Sequence, residues 1–420
     1  SKKADIGIKM KLLYNFGILL YYGLVYVASF FNDKAAKFVS GRKDVFSYLK
    51  SRIVFNDKCI WMHVSSLGEF EQGRPIIESV KRSHPEYKII LTFFSPSGYE
   101  VRKNYDGADI ICYLPMDTTW NARKFVKLVN PSVAIFIKYE FWGNYLTELK
   151  KKDIPTYIVS AIFRESQVFF KWYGGWYRGF LQNFRHLFVQ DSNSKNLLAS
   201  IGIKNVSIVG DTRFDRVLAI AKSSKELPVV QSFKGDAKVL VVGSSWPKDE
   251  DFILPYFNEH KNLKLIIAPH EVHESHIEDI LSKLKRPALR YTKATEEEAA
   301  NVDCLIIDCF GLLSSIYRYG EVAYIGGGFG VGIHNILEAA VYGMPVIFGP
   351  NYHKFREAVE MVKTGSAFPI NEGSEFSSVV DDLYDPSSTT WNDSAMMAHQ
   401  FVSANCGATD GVLLSIFGQK

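Results

Sequence analysis

Short, largely apolar runs recur along most of this chain, each followed by a polar or helix-period stretch. Cys59–Val64, Lys88–Phe94, Asp109–Tyr113, Val133–Ile137, Thr156–Val159 and His186–Gln190 form a first series. The rhythm restarts at Lys238–Gly243, Leu263–Ala268, Asp303–Asp308, Glu321–Gly326 and Pro345–Phe348. Strands without polar alternation are buried on both faces, and alternation with helices supplies the crossovers that parallel strands need. The expected fold class is therefore α/β, with two Rossmann-like doubly wound domains facing across a cleft. Residues 221–238 hold Ser223, Ser224, Pro228 and Gly235 with little apolar period, and read as the linker. The expected division is an apolar N-terminal segment over 1–40, a first domain over 41–222 and a second over 236–420. Ligand loops should lie just after the strands, at their carboxyl ends.

A chain of 420 residues with 47% hydrophobic and 22% charged residues is globular, not disordered or fibrous. Its five cysteines are scattered and form no C-x-x-C pair, which argues against a disulfide framework or a structural zinc site and for a reducing compartment. The net charge of +4 is unevenly spread. Residues 1–220 carry 32 basic and 19 acidic side chains, a net of +13; the remainder carries 17 and 26, a net of −9. A basic front half suits phosphates or an anionic surface; mutual attraction of two soluble domains explains it equally. Its basic residues are dispersed, which argues against nucleic acid. Leu12–Phe31 is uncharged and about long enough to span a bilayer. Its tyrosines, glycines and Asn15, with lysines on both sides, fit a helix lying in an anionic interface better than a clean crossing. A core helix is the alternative.

The loops after the strands carry the polar chemistry. His63-Val-Ser-Ser-Leu-Gly-Glu69 places a carboxylate at a strand-to-helix turn, where it serves either as a general base or as a helix-dipole partner. Ser95, Ser97 and Gly98 form a turn able to offer N–H groups to an anion. Lys138 and Glu140 follow an apolar run, as a substrate contact or as a solvated pair. In the back half, Ser244, Ser245 and Trp246 follow one strand and Pro269, His270 and Glu271 another. The histidines and glutamates of 270–276 lack the H-E-x-x-H spacing of a zinc site, so no metal is expected there. The glycine-rich stretch from Gly326 to Gly332 leads to His334, Asn335 and Glu338 and suits close backbone approach to a phosphate. It does not fit G-x-G-x-x-G, which excludes the dinucleotide type. On a helix, Glu338 lies one turn after His334, within reach of a ribose.

Taken together, HVSSLGEFEQGRP, TFFSPSGYE, YLPMDT, YEFWGN, GDTRFD, GSSW, APHE and GIHNILEAA occur in the order seen in the 3-deoxy-D-manno-octulosonic acid (Kdo) transferases, and the chain resembles that family from about Trp61 to its end. The resemblance implies a two-domain glycosyltransferase of the B architecture in lipopolysaccharide synthesis. It would move Kdo from CMP-Kdo to the lipid A precursor with inversion, at the cytoplasmic face of the inner membrane and without a metal cofactor. It assigns Glu69 as general base. Ser66, Gly68, Arg74, Ser95, Ser97, Gly98, Lys138 and Glu140 fall on the acceptor side. Arg213, Ser244, Ser245, Pro269, His270, Glu271, Gly327, Gly328, Gly332, Ile333, His334, Asn335 and Glu338 fall on the donor side. The chain departs from the family where Lys138 replaces an acidic residue, Gly143 replaces a proline, and no arginine precedes His270. A UDP-sugar-dependent transferase and a non-catalytic nucleotide-sugar-binding protein are the competing readings.

Overall fold

A computed structural model describes residues 2–418. It divides into two compact units, Ser1–Asp215 with Asn405–Lys420, and Arg216–Ala404. Each contains one parallel sheet of seven strands. In the first unit these are β1 Cys59–Val64, β2 Lys88–Phe93, β3 Ile110–Tyr113, β4 Val133–Ile137, β5 Thr156–Ala161, β6 His186–Val189 and β7 Val206–Ile208, in the order β3-β2-β1-β4-β5-β6-β7. In the second they are β8 Val239–Ser245, β9 Lys264–Pro269, β10 Ala288–Arg290, β11 Cys304–Ile306, β12 Val322–Ile325, β13 Val346–Phe348 and β14 Ala367–Pro369, in the order β10-β11-β9-β8-β12-β13-β14.

The central strands are buried throughout, as uninterrupted apolar runs require. β1 and β4 have no exposed residue, and Trp61, Phe136 and Tyr145 pack on one face of their sheet while Met62, Ile77 and Ile135 pack on the other. The strands that sequence periodicity missed are β7, β10 and β14. Each is three residues long, lies at a sheet edge and is partly exposed, so it needs no apolar run.

Three boundaries differ from expectation. The division between units falls inside a helix, Thr212–Ser223, and the supposed linker contains a second helix, Pro228–Lys234, whose Val230 and Phe233 are buried. The last helix, Ala408–Phe417, belongs to the first unit rather than the second. Its Val412 and Leu413 join the core that contains Val64 and Phe70, and Phe417 stacks on His84 at 4.0 Å. Nothing in its apolar pattern encodes which core it fills. The segment 1–40 is likewise no separate piece, because the helix Lys2–Ala28 runs against the first unit.

That helix is apolar on its exposed face as well as on its covered one. Its partly covered residues, among them Met10, Tyr14, Asn15, Ile18, Tyr22 and Val25, follow helical spacing. Two of them carry the polar attachment. The Tyr14 hydroxyl donates to Asp117 Oδ2 at 2.6 Å, and the Asn15 carbonyl accepts from the Thr119 N–H and the Asn144 amide. Leu13, Phe16, Leu20, Leu24 and Val27 are each more than half exposed. Asp117 is buried, and also accepts the N–H groups of Asn144 and Tyr145. Burial lifts its carboxyl to about 6, against the pull of those three donors. Replacing Asp117 with Ala orphans them in a buried site. The expected loss is roughly 2–4 kcal/mol, against about 1 for Tyr14→Phe, read from urea unfolding midpoints in detergent.

Candidate active site

In each sheet the chain leaves the central strand in one direction and later returns to pair on its other side. That switch lies between β1 and β4 in the first unit and between β8 and β12 in the second. Loops from the two neighbouring strands diverge there and leave a crevice at the carboxyl ends. The polar residues singled out in the sequence fall mainly at these two places.

In the first unit, Glu69 occupies the third position of the helix Leu67–Ser83, and its carboxylate receives the Ser65 N–H. Ser66 caps that helix in an extended conformation. Glu140 follows β4, so the switch brings it beside Glu69 and the two carboxyls share a hydrogen bond. Both are buried, at 8% and 6% exposure. Glu140 Oε2 lies 2.9 Å from His63 Nε2 and accepts the Trp142 indole N–H at 2.6 Å. His63 Nδ1 is 2.8 Å from Thr92 Oγ1, which also accepts the Trp61 indole N–H at 2.9 Å. His63 thus bridges Thr92 and Glu140, and the Trp142 N–H also reaches its Nε2 at 3.2 Å. Glu140 thus takes the Trp142 donor and lies against His63, while Glu69 takes the Ser65 N–H. Burial first, and then the Glu140 charge, push Glu69 up to about 8, while the Ser65 N–H and Lys138 pull the other way. A buried carboxyl that binds a proton tightly near neutral pH is suited to accept one from a hydroxyl. Lys138 is held at φ +64°, strained for a non-glycine residue, on the turn that delivers Glu140.

The other acceptor-side residues separate into groups. Ser66, Ser95 and Ser97 line one cavity of about 510 Å³, together with Ser65, Phe94 and Tyr21, Val25, Lys34 and Phe38 of the N-terminal helices. Gly98 acts by absence: a Cβ there would meet the Phe93 ring at 2.6 Å and the Ser66 backbone at 2.9 Å. Gly68 faces open space. Arg74 is not brought to Glu69. It pairs with Glu78 at 2.9 Å and its guanidinium lies over the Phe70 and Tyr105 rings. Sequence reasoning missed Arg42, buried among the carbonyls of Phe38, Phe94 and Leu114 and 3.6 Å from the Phe38 ring centroid. Its value is lowered by burial to about 10, so it stays charged and ties the N-terminal helices to the loops after β2 and β3.

In the second unit, Ser244, at φ +54°, makes an irregularity at the end of β8, and Gly326 passes so close that a Cβ would meet the Ser244 carbonyl oxygen at 2.1 Å. Asp249 is the hub that the sequence left unassigned. It is 1% exposed and accepts the Tyr324 hydroxyl at 2.6 Å, the Trp246 N–H at 2.9 Å and the Gly327 N–H at 3.3 Å. It thus pins the glycine loop to the loop after β8. Gly327 needs its glycine twice over: φ is +94°, and a Cβ would meet the Gly332 carbonyl oxygen at 2.5 Å. Gly327, Gly332 and His334 line a cavity of about 430 Å³ with Trp246, Lys248 and Phe329. Gly328 packs on Gly349 and Ile333 is buried. Ser245 donates to the buried Glu250, which also holds His276 at 2.8 Å. Pro269 ends β9 and delivers His270 against Trp246. Glu271, His273 and His276 bring ligating atoms within 4.8 Å of one another, although the spacing argued against a metal; His273 already caps its helix and lies 3.2 Å from Glu271.

Two donor-side expectations change. No helix joins His334 to Glu338: the helix there starts at Leu337 and Asn335 turns the chain into it by accepting the Leu337 N–H. Glu338 is nonetheless largely buried, and burial raises its carboxyl against the pull of Arg216. Arg213 lies in the first unit and grips Asp211 at 2.7 Å.

Comparison with known proteins agrees with this layout. Residues 41–216 match the family described as 3-Deoxy-D-manno-octulosonic-acid transferase (kdotransferase). The 3-deoxy-D-manno-octulosonic acid transferase of Aquifex aeolicus is 28% identical over 331 residues, covering 77% of this chain and 85% of that protein. Among solved structures, the UDP-GlcNAc 2-epimerase of Neisseria meningitidis bound to UDP-GlcNAc aligns with a TM-score of 0.56 at 16% identity, over 86% of this chain and 100% of that one. MurG of Acinetobacter baumannii aligns at 0.55 and 13%, over 86% and 100%. The two structural likenesses show the fold alone. By its family model and its sequence relatives, the chain is similar over most of its length to the Kdo transferases, a family of glycosyltransferases.

Proposed function

We propose that this Kdo transferase of lipopolysaccharide synthesis moves Kdo from CMP-Kdo to a sugar hydroxyl of the lipid A precursor, with Glu69 as base and inversion at the anomeric carbon. The observation that carries the reading is the Glu69–Glu140 pair at the β1/β4 switch. As the acceptor oxygen forms its bond to the anomeric carbon, its proton passes to Glu69. The bond from that carbon to the phosphate oxygen breaks and CMP leaves with the electron pair. Direct displacement from the opposite face inverts the centre, and one carboxylate base suffices. The second unit holds CMP through the glycine loop, His334 and the loops after β8 and β9. The reading uses no metal, because a nucleoside monophosphate is a good leaving group and backbone N–H groups can carry its charge.

The same reading places the protein at the cytoplasmic face of the inner membrane. The outward apolar face of Lys2–Ala28 lies in the bilayer interface, while Tyr14 and Asn15 keep the helix on its domain. The helix is also long and apolar enough to cross a bilayer. The cavity bounded by Tyr21, Val25 and Lys34 and by Ser65 and Ser66 then receives a lipid-borne sugar at the membrane surface.

Release of CMP from CMP-Kdo with tetraacylated lipid A precursor, in EDTA, tests the reaction. Wild type should turn over, and Glu69→Gln should lose roughly 10²–10⁴-fold. Equal turnover in both would remove Glu69 as base; no release by folded wild type would favour a UDP-sugar donor or a binding protein. Below about pH 8, kcat/KM should rise with pH as Glu69 loses its proton, and Glu140→Gln should move that limb to lower pH. Stability should move oppositely. Unfolded Glu69 releases its proton near 4.5 while the folded carboxyl keeps it to about 8, so wild type should lose stability relative to Glu69→Gln across that window and level off above it. Differential scanning calorimetry from pH 5 to 9 checks the sign. Converting Leu13, Leu20 and Leu24 to Asp should abolish flotation with anionic vesicles while leaving the fold intact, because all three side chains face outward.

A further inference from the structure

Three rings from three loops meet beside the cavity of the second unit. The Trp246 indole N–H donates to His334 Nε2 at 2.8 Å, and the two rings are nearly coplanar, 11° apart with centroids at 6.2 Å. His270 stacks on both, 4.4 Å from Trp246 and 4.5 Å from His334, at 24° and 17°. It therefore covers the junction of a flat surface made by an indole and an imidazole joined edge to edge. Trp246 and His334 both line the cavity of about 430 Å³, and His270 does not.

The hydrogen bond has a consequence for protons. An imidazole nitrogen that accepts cannot carry its own hydrogen, so the neutral His334 ring has its proton on Nδ1. Protonating the ring would set an Nε2–H against the indole N–H. The charged neighbours are few. Asp249 faces Trp246 and Gly327 and is spent on their N–H groups, Lys248 lines the cavity, and His270 lies on the ring itself. Burial, then His270, lower the tendency of His334 to protonate.

We propose that Trp246 is a positioning residue for the donor: its indole N–H locks His334 as a neutral Nδ1–H donor, and the joined rings present a platform on which a planar nucleobase stacks. The inference rests on the reading of the second unit as the CMP site. A hydrogen-bond donor that stays neutral holds a phosphate or ribose oxygen equally well across the pH range in which histidine ordinarily titrates. Stacking of a base on an aromatic platform contributes at the same time.

The test is binding of CMP and of ribose 5-phosphate to the full-length protein, by calorimetry and intrinsic fluorescence, between pH 5.5 and 8. CMP should quench a component of the emission that is missing in Trp246→Phe; ribose 5-phosphate, lacking a base, should not. Trp246→Phe keeps a ring and removes the N–H. It should weaken CMP about tenfold and acquire a pH dependence through the histidine range that wild type lacks, the titration of the phosphate itself being common to both. His334→Asn, which keeps a donor near the Nδ1 position, should retain more affinity than His334→Gln, which places its amide near Nε2. Wild-type binding with an unchanged Trp246→Phe profile, or with His334→Gln better than His334→Asn, would overturn the inference and leave the donor reading standing. Absence of CMP binding by folded wild type would overturn the donor reading, and the inference with it.

Discussion

A parallel sheet that reverses its winding direction opens a crevice at one place only, and the chemistry of this protein is organised around that constraint. In the first unit the reversal puts the ends of β1 and β4 side by side, so that Glu69 and Glu140, about seventy residues apart, meet in a buried site. Two carboxylates there cannot both be charged cheaply. Burial, then the Glu140 charge, raise the proton affinity of Glu69, while Glu140 takes the Trp142 N–H and lies 2.9 Å from His63, itself against Thr92 and Trp61. Core side chains of β1 and β2 thereby reach the loop carboxyl of Glu140.

The second unit solves a different problem with the same topology. A glycine-rich loop is adaptable and holds a ligand well only when its backbone is prevented from wandering. Asp249 does this by spending its carboxylate on Tyr324, Trp246 and Gly327, drawn from β12, the β8 loop and the glycine loop. The steric contacts of Gly326, Gly327 and Gly328 with backbone atoms complete the restraint. The stacked Trp246, His270 and His334 rings stand on that frame. The N-terminal helix is held by two polar side chains, Tyr14 near Asp117 and Asn15 near Asn144, while Leu13, Phe16, Leu20, Leu24 and Val27 face outward.

Much of this was legible in the residues. The apolar runs of the central strands, the restart of the rhythm and the strand-end positions of Glu69, Glu140, Ser245 and the glycine loop all follow from local pattern. What escaped reading had a common cause. The edge strands β7, β10 and β14 are only three residues long and only partly buried, too short for an apolar run to mark them. The family resemblance puts Arg74 and Arg213 beside substrate, yet both find carboxylates within a few residues. Arg42 and Asp249 gave no signal because a buried charge is recognised by its partners, and those are remote in sequence. The helix expected at His334 gives way to an Asx turn at Asn335.

The sequence by itself determined the class of fold, the two sheets and the set of loops that carry chemistry, because burial on both faces and the strand–helix alternation are local and periodic. Its family resemblance supplied the proposed reaction. Tertiary structure decided that Glu69 and Glu140 meet in a buried site, which arginines are engaged, which unit takes the last helix, and that an indole joins His334. Those outcomes depend on distances between residues far apart in the chain, and electrostatic and hydrogen-bond energies are set by such distances and by burial, neither of which a linear pattern contains.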